Sequence, residues 1–276
     1  MTRSTDFPWS AWLTNLWVSA AAVLAVMAIA FAVARVRRRH DGVDVAWGSG
    51  FVVIAVISLG LSAGEGDAWR RWLVTALTVT WGLRLAVHIA RRNRGEPEDA
   101  RYVALLRAAA GHPWWYAVRQ VYLSQGVVMW FVSLPVQLAQ YGYASGAGSI
   151  VVTVLGVLVW AVGMVFETVG DAQLAAFTAD PRNRGQVLDR GLWRYTRHPN
   201  YFGDAAVWWG LALIALHHLA GLIGLLAAAA LTTNLVRGTG ARLLESSIGE
   251  RRPGYADYAR CTSRFLPLPP SKEIDA

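Results

Sequence analysis

The chain has 276 residues, of which 55% are hydrophobic and only 16% charged, and its formal net charge at pH 7 is +8. Soluble globular proteins are nearer one quarter charged, so this composition excludes an ordinary soluble domain. The single cysteine, Cys261, excludes an internal disulfide.

Seven apolar runs follow one another along the chain, and each is about long enough to cross ~30 Å of hydrocarbon. They cover residues 13–34, 44–63, 69–90, 119–139, 149–175, 200–217 and 219–236. The sixth and seventh runs are short and nearly continuous, so we expect a tight hairpin there. The sequence therefore predicts an all-α, polytopic integral membrane bundle of about seven transmembrane helices. We expect one domain over residues 1–276, with the bundle at 13–236 and a cytoplasmic tail at 237–276.

The basic residues are distributed unevenly between the two sides of this topology. Of the 26 Lys and Arg residues, 22 lie in segments of one side and only three on the other. Those 22 occupy segments 35–43, 91–119, 176–200 and 237–276. The positive-inside rule then predicts an inner (plasma) membrane protein with its N-terminus outside and its C-terminus in the cytoplasm. The positive charge reflects this topology and contact with membrane lipids, and we find no nucleic-acid motif.

Polar residues in the second and third runs are candidates for a functional site. Asp44 opens the second run, where it is either a helix N-cap or a catalytic carboxylate. Arg84 and His88 are four residues apart and share one face of the third helix. They either snorkel to the basic interface or contact an anion or cofactor inside the bundle.

A pair of carboxylates lies near the end of the fifth run, in MVFETVGDAQLAAF at 164–177. Glu167 and Asp171 are four residues apart, so both carboxylates occupy one helical face. Such a pair repels unless cationic or hydrogen-bonding groups lie between its members. A solvated helix end is the alternative, but the flanking apolar residues indicate that part of this face is buried.

The densest polar cluster lies at 191–210, GLWRYTRHPNYFGDAAVWWG, directly before the sixth apolar run. Pro199 suits the first turn of a helix, which would place His198 near the N-cap. The open N–H groups of that turn, together with two arginines, predict a phosphate site. A basic loop that contacts lipid phosphate is the alternative. The candidate binding residues are Arg194, Tyr195, Arg197, His198, Asn200, Tyr201 and Asp204.

The tail is rich in aromatic and basic residues, and we expect it to fold back over a cytoplasmic pocket. Tyr255 and Tyr258 are three residues apart and share a face if the segment is helical. Pro267, Pro269 and Pro270 then end the regular structure. No metal site is predicted, because no H-E-x-x-H pattern occurs, and there is no G-x-S-x-G elbow or P-loop.

Several of these segments together resemble a bacterial family of uncharacterised membrane proteins related to the steroid 5-alpha-reductases. The matching segments are VDVAWGSGF at 43–51, WGLRL at 81–85, EDARY at 98–102, FETVGDAQLAAF at 166–177, GLWRYTRHPNYFGDAAVWWG at 191–210 and YADYARCTSRFLP at 255–267. The resemblance implies a seven-helix membrane reductase that holds NADPH in its cytoplasmic half. The cofactor contacts that it implies are Glu167, Asp171, Asn200, Asp204, Trp208 and Tyr258.

The chain departs from the steroid enzymes on the third helix. Those enzymes carry a tyrosine three residues before an arginine, and that tyrosine acts on the substrate carbonyl. If Arg84 is that arginine, the position holds Trp81, whose indole cannot serve as the same proton donor. The identity of the donor stays open, and the candidates are Tyr102, Tyr116, Tyr195 and Asp44.

Three functions remain as hypotheses. The first is an NADPH-dependent reductase of a carbon–carbon double bond conjugated to a carbonyl, in a steroid-, isoprenoid- or lipid-like substrate taken from the bilayer. The second is an S-adenosylmethionine-dependent methyltransferase of isoprenylcysteine or phospholipid, in which R-H-P-x-Y-x-G at 197–203 and Glu245 would form the site. The third is a non-catalytic lipid-binding protein on the same fold. The remaining cofactor-binding candidates of the first hypothesis are Arg84, Glu245 and Tyr255.

Overall fold

The structure is a computed structural model that describes residues 6–109, 111–144, 146–238, 245 and 252–271. Within these ranges the regular structure is helical, and no strand is found. A π-helical turn, Val118–Leu123, separates α5 from α6. The described α-helices are α1 (Trp9–Arg37), α2 (Gly42–Leu61), α3 (Ala68–Arg92), α4 (Ala100–Arg107), α5 (Pro113–Ala117), α6 (Ser124–Val132), α7 (Leu134–Leu138), α8 (Ala147–Ala179), α9 (Pro199–Ala215), α10 (Leu222–Arg237) and α11 (Tyr255–Cys261).

Six helical segments in the described part of the chain are long and apolar enough to cross a membrane. They are α1, α2, α3, Pro113–Leu138, α8 and Leu219–Arg237. The predicted all-α, polytopic membrane bundle is therefore confirmed, with six segments of spanning length rather than about seven. The sixth predicted run forms α9, which has 17 residues and is about 25 Å long. This length is at the lower limit of the ~17–25 residues that a membrane-spanning helix requires.

The predicted hairpin is formed by α9 and α10. A short 3₁₀ turn, Leu219–Gly221, leads from one helix into the other. Trp209 Nε1 on α9 donates a hydrogen bond to Thr232 Oγ1 on α10 at 3.0 Å, so the two helices run side by side in opposite directions. The hairpin therefore returns the chain to the side at which α9 begins.

The residue contacts divide the chain into two compact units. The first unit contains Met1–Val151 and Ile214–Ala227, and thus α1 to α7. The second contains Val152–Leu213 and Ala228–Ala276, and thus most of α8, α9 and α10 together with α11.

In the first unit, α2 and α3 cross at two glycines. A Cβ atom on Gly48 would lie 2.5 Å from the Gly82 carbonyl oxygen, and one on Gly82 would lie 2.6 Å from that of Gly48. Trp81 is fully buried beside this crossing, and its ring packs edge-on against Phe51 at 5.5 Å. Trp81 is therefore part of the packing between α2 and α3.

In the second unit, α8 and α9 approach backbone to backbone along a row of glycines. A Cβ on Gly163 would lie 2.6 Å from the Gly203 carbonyl oxygen, and one on Gly210 would lie 2.6 Å from that of Gly156. The glycines of each helix are seven residues apart, which is two helical turns, so they recur on one face. Small residues of this kind allow membrane helices to pack closely. The contact places Glu167, only 3% exposed, between the two helices.

Candidate functional site

The loop that precedes α9 is hydrogen-bonded to the C-terminal part of α8. Trp193 Nε1 donates a hydrogen bond to the Gly170 carbonyl oxygen at 3.1 Å. Asn200 Nδ2, in the first turn of α9, donates to Asp171 Oδ1 at 3.2 Å. Pro199 begins α9, as its position in the sequence predicts. The structure thus joins one member of the carboxylate pair on α8 to the polar cluster at the start of α9.

The same loop is also paired with the C-terminal segment of the chain. The Arg197 backbone N–H donates to the Ser263 carbonyl oxygen at 2.9 Å. The buried hydroxyl of Thr196 donates to the Phe265 carbonyl oxygen at 2.9 Å. Residues 263–265 therefore lie along the loop and hold its backbone in position.

A cluster of cationic groups surrounds one carboxylate at this junction. Arg197 Nη1 lies 3.4 Å and His198 Nε2 lies 3.0 Å from Glu245 Oε1. Arg264 Nη2 lies 3.2 Å from Glu245 Oε2. The side chains of Arg197 and Glu245 are only 14% and 15% exposed, so the surrounding water screens these charges weakly. We call these four residues the Glu245 cluster.

The Glu245 cluster contains N–H donors that could bind an anionic oxygen. Burial raises the pKa of Glu245, but the hydrogen bond with His198 and the charge of Arg197 outweigh it, so the pKa lies below its ordinary value. The Nε atoms of Arg197 and Arg264 are buried and have no hydrogen-bond partner within the described residues. A buried donor of this kind is costly until an acceptor reaches it. The donor set therefore fits a phosphate group.

Aromatic rings flank the Glu245 cluster. The imidazole of His198 stacks on the Tyr201 ring, with centroids 5.4 Å apart and planes 10° from parallel. Tyr255 and Tyr258 lie on α11 with ring centroids 5.9 Å apart, so the predicted shared face is confirmed. Burial raises the pKa of Tyr255, and the nearby Arg197 guanidinium offsets part of that rise. Aromatic rings thus lie next to the Glu245 cluster.

The other predicted site residues are placed differently. Arg194 and Tyr195 are exposed, Asp204 is half-buried on α9, and Trp208 is fully buried. Arg84 is half-buried on α3 and belongs to the first unit. The predicted residues that the structure joins through hydrogen bonds, ion pairs or stacked rings in the second unit are Asp171, Arg197, His198, Asn200, Tyr201, Glu245, Tyr255 and Tyr258.

A second polar cluster lies in the first unit, around Asp44. The Tyr102 hydroxyl donates to Asp44 Oδ1 at 2.5 Å, and Arg101 Nη2 donates to Asp44 Oδ2 at 3.1 Å. Gln125 Nε2 donates to the Tyr102 hydroxyl oxygen at 3.3 Å. The Asp99 side chain accepts from the Arg101 backbone and caps the start of α4. Tyr102 of the EDARY segment therefore forms a tyrosine–carboxylate pair with the half-buried Asp44.

The structure excludes one of the two interpretations of Asp44, the N-cap. The N-cap of α2 is Asp41, and Asp44 lies in the first helical turn, so the N-cap interpretation of Asp44 is wrong. Tyr102 is 7% exposed, and burial and the charge of Asp44 raise its pKa far above neutrality. Tyr102 therefore stays protonated and can donate a hydrogen bond. Tyr116, by contrast, is half-buried on α5.

Sequence reasoning missed two arginines of these clusters, Arg264 and Arg101. Both lie in segments that matched the related family, YADYARCTSRFLP and EDARY. Arg101 also pairs with its near neighbour Asp99 at 2.8 Å, but its contact with Asp44 and that of Arg264 with Glu245 join distant segments, for which a single sequence carries no signal. The resemblance of these two segments to a known family was the only indication in the sequence that Arg264 and Arg101 belong to a site.

Replacing Glu245 by Gln is expected to make the stability of the folded protein depend less on pH in the acid range. The pKa of Glu245 is depressed in the folded state, so its carboxylate stabilises the fold fully above its ordinary pKa of 4.5. That contribution is lost as the pH falls through the folded-state pKa. Thermal melts from roughly pH 7 to pH 3 should show the wild type losing its advantage over Glu245→Gln at the acid end. An advantage that does not change with pH would contradict the depressed pKa.

Comparison with known proteins gives one match. A family model described as a protein of unknown function, DUF1295, matches residues 30–262. No curated protein and no solved structure matches the chain. The matched range contains Asp44, Tyr102, Arg197 and Glu245, whereas Arg264 lies just beyond it.

Proposed function

The chain belongs to the DUF1295 family, whose description assigns no reaction, and we propose from the site that it is an integral membrane reductase. It would use NADPH to reduce a conjugated carbon–carbon double bond in a lipophilic substrate, as the resemblance to steroid 5-alpha-reductases implies. The observation that carries the proposal is the Glu245 cluster, in which three basic side chains surround one carboxylate.

A dinucleotide phosphate matches the chemistry of this cluster. Arginine presents a fork of N–H donors to phosphate oxygens, and the buried Nε atoms of Arg197 and Arg264 supply donors that are otherwise unused. The N-terminus of α9 adds a positive dipole beside them. Asn200 and Asp171 provide an amide and a carboxylate for ribose or nicotinamide groups.

The Tyr102–Asp44 pair is the proposed donor for the reacting carbonyl. A reduced nicotinamide supplies a hydride when the cofactor is bound. The Tyr102 hydroxyl would donate to the carbonyl oxygen and stabilise the negative charge that develops there. Asp44 accepts the single Tyr102 hydroxyl proton at 2.5 Å in this structure, so the hydroxyl would have to exchange Asp44 for the carbonyl oxygen as its acceptor when substrate binds. This assignment replaces the missing tyrosine at Trp81 with a tyrosine from α4.

The proposed location is the plasma membrane, with the substrate entering from the bilayer and the C-terminus in the cytoplasm. The hairpin of α9 and α10 supports a common side for the loop at 191–198 and the C-terminal segment, and these two segments are hydrogen-bonded to each other. Both are basic, as expected of cytoplasmic segments.

Ligand-induced thermal shifts test the proposal. The purified full-length chain is melted in detergent with NADPH, NADH or S-adenosylmethionine. A ligand that binds only the folded state stabilises it by about 2.7 kcal/mol at one hundred times its Kd. We expect NADPH to raise the Tm most. A shift with S-adenosylmethionine alone would overturn the reductase proposal, and no shift with any ligand would favour a lipid-binding protein.

Replacing Arg197 by Ala is expected to weaken NADPH binding by roughly 10- to 100-fold, because hydrogen bonds to charged groups contribute about 1.5–3 kcal/mol. The matched control is Arg182→Ala, whose 88% exposed side chain pairs only with Asp180 among the described residues. Titration of cofactor fluorescence measures both affinities. Equal affinities in the two variants would place the phosphate elsewhere.

One observation favours the methyltransferase as a second candidate. The Arg197 and His198 side chains of the R-H-P-x-Y-x-G segment both contact Glu245, the acid that this function would require. The residue after it is Ser246, whereas such enzymes commonly show a second glutamate, so the pattern is incomplete. The thermal-shift comparison of NADPH with S-adenosylmethionine separates the two candidates.

A further inference from the structure

A groove of about 720 Å³ lies in the first unit, outside both polar clusters. Its walls come mainly from small and aliphatic side chains of α1 and α2, among them Ala30, Ala34 and Ala46. The end of α3 closes one side with Ala90. The small side chains leave room between the helices, and the apolar lining suits a hydrocarbon chain.

The groove has the length of one membrane leaflet. Its lining on α1 extends from Val26 to Arg37, which at 1.5 Å per residue is roughly 16 Å. The hydrocarbon core of a bilayer is about 30 Å thick, so the groove covers about half of it. A partner helix that crossed the membrane would need the whole thickness. A single lipid, by contrast, occupies one leaflet.

The polar end of the groove carries uncompensated positive charge. Arg39 is neutralised by Asp41 at 2.5 Å and also donates to the Glu96 carbonyl oxygen at 2.8 Å, which fixes this part of the rim. Arg37 and Arg94 also line the groove, and both are exposed. Neither has an ion-pair partner in the portions of the chain that the structure describes. Two guanidinium groups without an ion-pair partner among the described residues therefore lie at the polar end of the apolar groove.

We infer that this groove binds one anionic phospholipid, with an acyl chain between α1 and α2 and its phosphate at Arg37 and Arg94. The apolar walls exclude a free small anion as the occupant, because most of the lining offers it no hydrogen bond. The unpaired guanidinium groups favour an anionic lipid over a zwitterionic one. The site is independent of the reductase proposal, since it uses none of the residues of the Glu245 or Asp44 clusters.

Native mass spectrometry of the detergent-purified full-length chain tests the inference. The protein is titrated with phosphatidylglycerol or phosphatidylcholine of identical acyl chains, and with glycerol 3-phosphate as the free head group. We expect the first phosphatidylglycerol to bind most tightly and glycerol 3-phosphate not to bind. The double variant Arg37→Gln/Arg94→Gln should weaken phosphatidylglycerol binding by about thirtyfold, since each arginine near an anionic lipid surface contributes a factor of about five.

Two matched controls make the result decisive. Arg91→Gln/Arg107→Gln removes the same net charge from exposed residues outside the groove lining and should leave the affinity unchanged. Ala30→Phe fills the groove and should abolish the tight site, whereas Ala32→Phe, on the exposed face of α1, should not. Equal affinity for the two phospholipids, or unchanged binding in Arg37→Gln/Arg94→Gln, overturns the inference. Tight binding that survives Ala30→Phe in a variant with a wild-type melting curve places the lipid elsewhere and overturns it as well.

Discussion

Replacing Tyr102 by Phe is expected to lower the reductase turnover number by at least about 100-fold, because a positioned proton donor contributes roughly 10²–10⁴-fold. The variant removes only the hydroxyl, which donates to Asp44 in a buried setting. The measurement is the rate of NADPH oxidation by the purified protein with a lipophilic enone that the wild type turns over. NADPH affinity should not change, since Tyr102 is not among the proposed phosphate-binding residues.

Two further variants test whether a loss of turnover in Tyr102→Phe is specific to the Tyr102–Asp44 pair. Asp44→Asn should also lower turnover, because the hydroxyl loses the carboxylate that holds it in position until the carbonyl oxygen replaces it as the acceptor. Tyr116→Phe is the matched control, since Tyr116 is a half-buried tyrosine on α5 and is expected to leave turnover near the wild-type value. If Tyr102→Phe kept full turnover, the hydride acceptor would have to be activated by another group, and the role assigned to α4 would be wrong.

Replacing Gly203 by Ala is expected to destabilise the protein by about 2–3 kcal/mol, which is the upper part of the range for overpacking a tight core. The new Cβ would lie 2.4 Å from the Glu167 backbone nitrogen and 2.6 Å from the Gly163 carbonyl oxygen. Both atoms belong to the backbone of α8, so no side chain can rotate away. Thermal unfolding in detergent, followed by circular dichroism, measures the loss.

Gly148→Ala and Gly60→Ala are the matched controls for Gly203→Ala. Both glycines lie in helices, and a Cβ atom at either position would meet nothing within 4 Å. Alanine is favoured over glycine by about 1 kcal/mol in helix interiors, so these variants should be neutral or slightly stabilised. A Gly203→Ala protein as stable as these controls would show that α8 and α9 do not approach this closely.

The helices themselves were predictable because each depends on a local property of the sequence. Apolar runs of about 20 residues identify spans without any knowledge of tertiary contacts, and α1, α2, α3 and α8 were found in this way. Pro199 marks the start of α9 for the same local reason. The sixth and seventh runs were the shortest, and the helix formed by the sixth, α9, lies at the lower limit of length for a span.

The contacts between distant segments were not predictable from one sequence. The distances from Glu245 to Arg197 and to Arg264 depend on how the loop before α9 and the C-terminal segment come together. Trp81 illustrates a related difficulty, since its place in the WGLRL segment gave no hint of its packing against Phe51. In the absence of tertiary contacts, a motif residue that packs helices cannot be distinguished from one that binds a ligand.

The pairing of Arg197 with Ser263 and of Thr196 with Phe265 has a consequence for biosynthesis. These partners follow the helices α1 to α10 along the chain, so the ribosome adds them after those helices, and the helices can enter the bilayer before the loop acquires its final hydrogen bonds. A chain that terminates prematurely after residue 261 would insert normally and yet never complete this junction.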